Sequence, residues 1–130
     1  MTTETYIANN LLADNVAVVE KTVTVVQGEQ SAGETDIVRA GTLLTQVTEA
    51  GATQYKHRVF NAANTDGTEI IQSDPVICAY DVSTTTAVPV NAYSAGVFNR
   101  EKILAETGVT LDVEEIGTLR KAGIFLATVW

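Results

Sequence analysis

Hydrophobic positions along this chain recur mostly with the short period of strands, in runs separated by turn residues. Residues 16–26 (VAVVEKTVTVV) are dense in β-branched side chains, which restrict χ1 and fit a pleated surface, so they predict a long strand. Residues 27–36 carry Gly28, Gly33, Ser31 and three acids, and predict a solvated loop. Three further strands are predicted at 41–48 (GTLLTQVT), 55–60 (YKHRVF) and 75–82 (PVICAYDV). In the last of these, Val76, Cys78, Tyr80 and Val82 alternate onto one face. Asn64-Thr-Asp-Gly67 is a tight reversal, since Asp-Gly favours positive φ. Residues 83–86 (STTT) form a polar tip, and 87–93 return as a strand. Pro89 cannot donate to a ladder there, which predicts an edge or a bulge.

Helical spacing appears only late. Asn99 is placed to cap a short helix through Leu104, with Gly108 as its stop. Asp112 and Glu115 have capping-box spacing, and Val113, Ile116 and Leu119 follow on one helical face. Arg120 and Lys121 suit the negative end of that helix, and Gly123 supplies the residue beyond it. Residues 124–130 (IFLATVW) read as a closing strand. Residues 1–15 are polar apart from Leu11-Leu12 and read as an extended N-terminal arm, within which Thr2 to Ile7 is β-prone. No internal repeat is visible. The expected fold is mainly β (α+β): a compact barrel- or sandwich-like domain over 16–130, with two short helices in its C-terminal half.

Composition narrows the function. Of the 130 residues 45% are hydrophobic and 18% charged, which marks a globular chain with a core of its own. The single cysteine, Cys78, cannot close a disulfide within the chain, so the fold is expected to stand on packing alone. Sixteen acids against eight basic residues give a net charge of −8, a field that repels phosphate backbones and anionic lipid. Direct nucleic-acid binding and membrane insertion are therefore not expected. Apolar runs are too short for a bilayer, and Met1 to Tyr6 lacks the basic-then-apolar order of a secretory leader.

Candidate chemistry is sparse. His57, the only histidine, stands between Lys56 and Arg58, which disfavour a metal, so a surface or strand role is expected. Cys78 sits among apolar neighbours and reads as a buried core thiol. The set Asn61, Asn64, Asp66, Gly67 and Glu69 offers oxygen ligands around a turn. It lacks the acidic first position and the closing glutamate spacing of a calcium loop, which leaves a plain turn. Glu114 and Glu115 are adjacent, so on a helix they point apart and serve its dipole rather than paired acid–base chemistry. Trp130 fits a core plug or a subunit contact better than a sugar platform. No catalytic residues, metal ligands or cofactor site are expected.

Five blocks in order carry a resemblance: Arg39-Ala-Gly-Thr-Leu-Leu-Thr-Gln-Val-Thr48, Asn61-Ala-Ala-Asn-Thr-Asp-Gly67, Pro75-Val-Ile-Cys-Ala-Tyr-Asp-Val82, Ala95-Gly-Val-Phe-Asn99 and Leu119-Arg-Lys-Ala-Gly-Ile-Phe125. Together they resemble the head decoration proteins of lambda-type tailed bacteriophages, over about residues 38–126; residues 1–37 match no block. Each block alone is common, and their number, order and spacing make the likeness specific. The resemblance implies a non-enzymatic homotrimer on the outer surface of the expanded virion capsid, at local three-fold positions. Its implied partner is the major capsid protein, contacted through the arm residues Thr2, Thr3, Glu4, Thr5, Tyr6, Ile7, Leu11 and Leu12. Other readings are a β-sandwich sugar-binding or adhesin-like module using Tyr55, Tyr93 or Trp130, another virion subunit such as a tail component, and lastly an enzyme.

Overall fold

The structure, a computed structural model, describes residues 18–128. The arm over 1–15, with every capsid-contact residue assigned to it, and Trp130 lie outside the described residues. Among the described residues eight strands and two helices follow one another: β1 Val19–Val25, β2 Ile37–Val38, β3 Leu43–Gln46, β4 His57–Val59, β5 Val76–Cys78, β6 Val82–Ser83, β7 Val88–Asn99, α1 Arg100–Thr107, α2 Val113–Lys121 and β8 Ile124–Ala127.

Five strands close into a barrel in the order β1-β4-β3-β5-β7, and β1 completes the ring by pairing with β7. The long β1–β7 ladder is antiparallel from Val19↔Ala95 to Val25↔Val88, and its register slips between Val19 and Glu20. On its other side β1 meets β4 in a parallel contact, Val25↔His57. β8 lies outside the ring, parallel to the end of β7, from Gly96↔Ile124 to Asn99↔Ala127. β2 and β6 form a separate two-stranded ribbon.

Side chains alternate across a strand, so a closed wall sorts them into an inner and an outer set. The inner set, Val23, Val25, Leu44, Val76, Cys78, Val90 and Ala92, fills the barrel together with Val38. The outer set, Leu43, Ile77 and Tyr93, joins Phe98, Ile103, Leu119 and Ile124 in a second core. That core lies between the barrel wall and the layer made by α1, α2 and β8. At this size two packed layers around a shared wall suffice without a disulfide.

The mainly-β barrel with two late helices matches the expectation, and so do the caps. The Asn99 side chain accepts from the Glu101 N–H, and Gly108 ends α1 in the left-handed region at φ +76. The Asp112–Glu115 capping box forms reciprocally, and Arg120 and Lys121 lie in the last turn of α2. α1 runs on to Thr107 rather than stopping at Leu104.

Several strand boundaries move. The runs 41–48 and 55–60 contract to β3 and β4, although Val47, Tyr55 and Phe60 still make backbone bonds across them; of the runs 16–26 and 124–130, the described residues form β1 and β8. The run 75–82 divides between β5 and β6, so Tyr80 does not share the inner face; it lies between the two strands, 59% exposed. Within the polar tip at 83–86, Thr84 is buried, its hydroxyl donates to the Glu29 carbonyl, and its N–H donates to the Asp36 carbonyl. The run 87–93 extends to Asn99. Pro89 lies opposite Thr24 of β1, in a stretch where β5 does not reach β7, so its missing N–H breaks no ladder on that side.

Candidate functional site

The loop 28–33, the strand end 58–61 and the turn 107–109 surround a cleft of about 560 Å3. Glu29, Ser31, Arg58, Asn61, Asn64 and Thr107 give it a polar lining. Alternation on β4 turns Arg58 away from the barrel interior that receives Val59. Its guanidinium donates from Nε to Glu29 Oε2 at 3.1 Å and from Nη1 to Asp66 Oδ2 at 2.8 Å. Glu29 also accepts the Val59 N–H through Oε1 at 2.8 Å, so one carboxylate fastens the 28–33 loop to β4 twice.

The oxygen-rich turn lies at the end of this network. Asp66 Oδ1 accepts from both the N–H and the hydroxyl of Thr68, and Asn64 Nδ2 donates to the Thr68 hydroxyl. Glu69 folds back to accept the Gly67 N–H at 2.8 Å. These carboxylates are spent on the turn itself. Among the described residues no three His, Cys, Asp or Glu side chains gather as a metal site. Burial works to raise the Asp66 carboxyl, yet the bonds from Thr68 and Arg58 outweigh it and hold the group below its ordinary value. The turn is held against the strand end because the N–H groups of Thr48 and Glu49 both donate to the Asp66 carbonyl.

A second polar cluster joins β1, β4 and the segment before β5. His57 is expected on a strand or at the surface; it lies on β4 and is only 1% exposed. Its Nε2 faces the Asp74 carbonyl oxygen at 3.0 Å and Asp74 Oδ2 at 3.2 Å. A carbonyl can only accept, so Nε2 carries the proton, and Nδ1 is left buried with no hydrogen-bond partner. Lys21 Nζ reaches both Asp74 oxygens, at 2.8 and 3.0 Å. Burial lowers the imidazole's proton affinity, and the contacts to Asp74 only partly oppose it. With its ring closed off from solvent, His57 cannot reach a substrate proton.

Cys78 is a core thiol, as its apolar setting predicts: it is fully buried, and burial pushes its pKa up to about 11. Glu114 and Glu115 occupy the first turn of α2. The aromatic platform of the sugar-binding reading is not assembled from its described members. Tyr93 is buried against Phe98, with ring centroids 5.8 Å apart, whereas Tyr55 is 70% exposed at positive φ. Sequence reasoning missed both polar clusters. Each joins residues far apart in the chain, and the local signals were charged residues inside strands at Lys21 and Arg58.

A scan against models of known protein families finds no match, and a search of curated proteins finds no similar sequence.

Proposed function

We propose that this chain is a capsid decoration subunit, a non-enzymatic protein that binds the outside of an expanded phage head as a trimer and strengthens it. The observation that carries the reading is the ordered series of five sequence blocks between residues 39 and 125. The blocks also make structural sense together. Two of them contain β3 and β5 of the barrel wall, a third holds the end of β7 that pairs with β8, and the last joins α2 to β8. The net charge of −8 suits a subunit that stays clear of packaged nucleic acid.

The physical mechanism is strand addition by the arm. A packed shell fails when neighbouring coat subunits separate, and a clamp across them raises the cost of separation. An arm strand of five or six residues forms about five main-chain hydrogen bonds, each contributing about 0.5–1.5 kcal/mol net. Ordering it costs about 1–2 kcal/mol per residue, so one arm alone binds weakly. Three arms on one trimer act at high effective concentration, which converts weak contacts into lasting attachment. Thr2, Thr3, Glu4, Thr5, Tyr6 and Ile7 supply the strand, and Tyr6, Ile7, Leu11 and Leu12 supply side chains for pockets on the coat protein.

The test mixes purified protein with expanded, undecorated heads and measures co-sedimentation and heat resistance. Binding with three-fold grouping on the shell, and loss of binding when residues 1–15 are deleted, are the expected results. Heads that gain no heat resistance would overturn the reading, and undiminished binding after the deletion would overturn the arm mechanism.

A further inference from the structure

We propose that Lys21, Asp74 and His57 form an acid-operated latch that holds the segment 70–74 against the barrel and releases it when the buried imidazole takes up a proton. Ile71 anchors the segment's first half in the outer core, and three polar ties fasten its end. Ser73 accepts the Gln46 N–H at 2.8 Å and returns its hydroxyl to the Gln46 carbonyl, which ties it to β3. Asp74 receives the His57 Nε2–H from β4 and the Lys21 ammonium from β1. Asp74 adopts φ +42, in the left-handed region, and the three fastenings hold it there.

The latch responds to acid because of where the free nitrogen lies. A second proton on His57 must go to Nδ1, which is buried and faces no acceptor. The imidazolium would then carry an unsatisfied N–H away from water, at a cost comparable to a lost charged hydrogen bond. Few other charges offset this. Lys21 on β1 disfavours the second proton, and Asp74 on the 70–74 segment favours it. From β3 the paired residue is Gln46, which does not titrate, and the neighbouring cation Arg58 on β4 is engaged with Glu29 and Asp66. Asp74 stands over Nε2, so water reaches the ring from this side only when the segment moves. The cheapest movement frees Asp74 and Ser73, whose bonds are few and whose anchor is a half-exposed ion pair.

The sign follows from linkage. The folded imidazole binds its proton less readily than the free one, so the closed latch is fully stable above the free value of about 6.5 and weakens as pH falls through it.

Amide hydrogen exchange and imidazole NMR on the full chain, followed from pH 8 to pH 4.5, test the proposal. Protection of the Gln46 N–H is expected to fall about tenfold per pH unit below about 6.5, while β7 amides keep theirs. His57→Gln, which retains a donor and cannot titrate, should make that protection flat. Lys21→Met removes a charge that opposes the proton, and should move the ring's titration to higher pH. Unchanged Gln46 protection in the native chain, the same slope in His57→Gln, or simultaneous loss across β7 would overturn the latch. If His57→Gln does not fold, a ring that titrates at about 6.5 with the segment still protected is equally decisive against it.

Discussion

Gly67 offers a sharp test of how tightly the 64–67 turn is built onto the barrel. It adopts φ +100, and a Cβ added there would stand 2.0 Å from Thr48 Oγ1 and 2.9 Å from the Thr48 backbone nitrogen. A side chain in this backbone region costs about 1–2 kcal/mol. Overpacking adds about 1–3 kcal/mol, because the nitrogen cannot swing aside as a hydroxyl can. Gly67→Ala should therefore lose about 2–5 kcal/mol, which at about 3–5 °C per kcal/mol lowers Tm by about 6–25 °C. Two other glycines supply the controls. Gly28 has φ +83 with open space around it, so Gly28→Ala should lose only the conformational part, about 1–2 kcal/mol. Gly117 lies within α2, with no heavy atom near an added Cβ and no left-handed φ, so Gly117→Ala should gain about 0.5–1 kcal/mol. Thermal and urea unfolding followed by circular dichroism would rank the three. A Gly67→Ala protein no weaker than Gly28→Ala would refute the steric reasoning. Complete rescue by Thr48→Ala would show that the backbone contact carries none of the cost.

Three more outcomes are expected. Phe98 is fully buried and packs at a tilt against Tyr93, so Phe98→Ala should lose about 3–5 kcal/mol by urea unfolding; a loss under 1 kcal/mol would contradict the outer core. Cys78, with its pKa pushed up to about 11, should resist a thiol reagent at pH 8 in the native state and react promptly in denaturant. The folded Asp66 carboxyl lies below its free value of about 3.9, so its stabilisation is present above that pH and lost as acid protonates the folded group. Asp66→Asn should accordingly flatten the acid limb of the stability profile; an unchanged limb would mean the Arg58 and Thr68 bonds carry no net weight.

Much of the fold could be read from local patterns. The β-branched density of β1 and the cap residues Asn99, Gly108, Asp112 and Glu115 act over a few positions, so the sequence displays them directly. The wall strands were harder, because Leu43-Leu44 and Val76-Ile77-Cys78 are buried on both faces, so the alternation read over 76–82 does not mark where β5 ends. The last part of β7 was hidden by Ser94, Ala95 and Gly96, residues of low strand propensity that pairing with β1 and β8 overrides. His57 illustrates the limit for sites. Its burial depends on Asp74, 17 residues further on, arriving with an acceptor for Nε2, and nothing near position 57 announces that partner. The Arg58 cleft required the closed ring to bring Glu29 and Asp66 to one place.

The double duty of β3, β5 and β7 sets how this molecule can be divided. Each strand belongs to two apolar masses at once, so neither mass survives excision of the other. Denaturation should trace one sigmoid rather than two, and permuted versions with new ends will tolerate cuts only in connections away from those three strands.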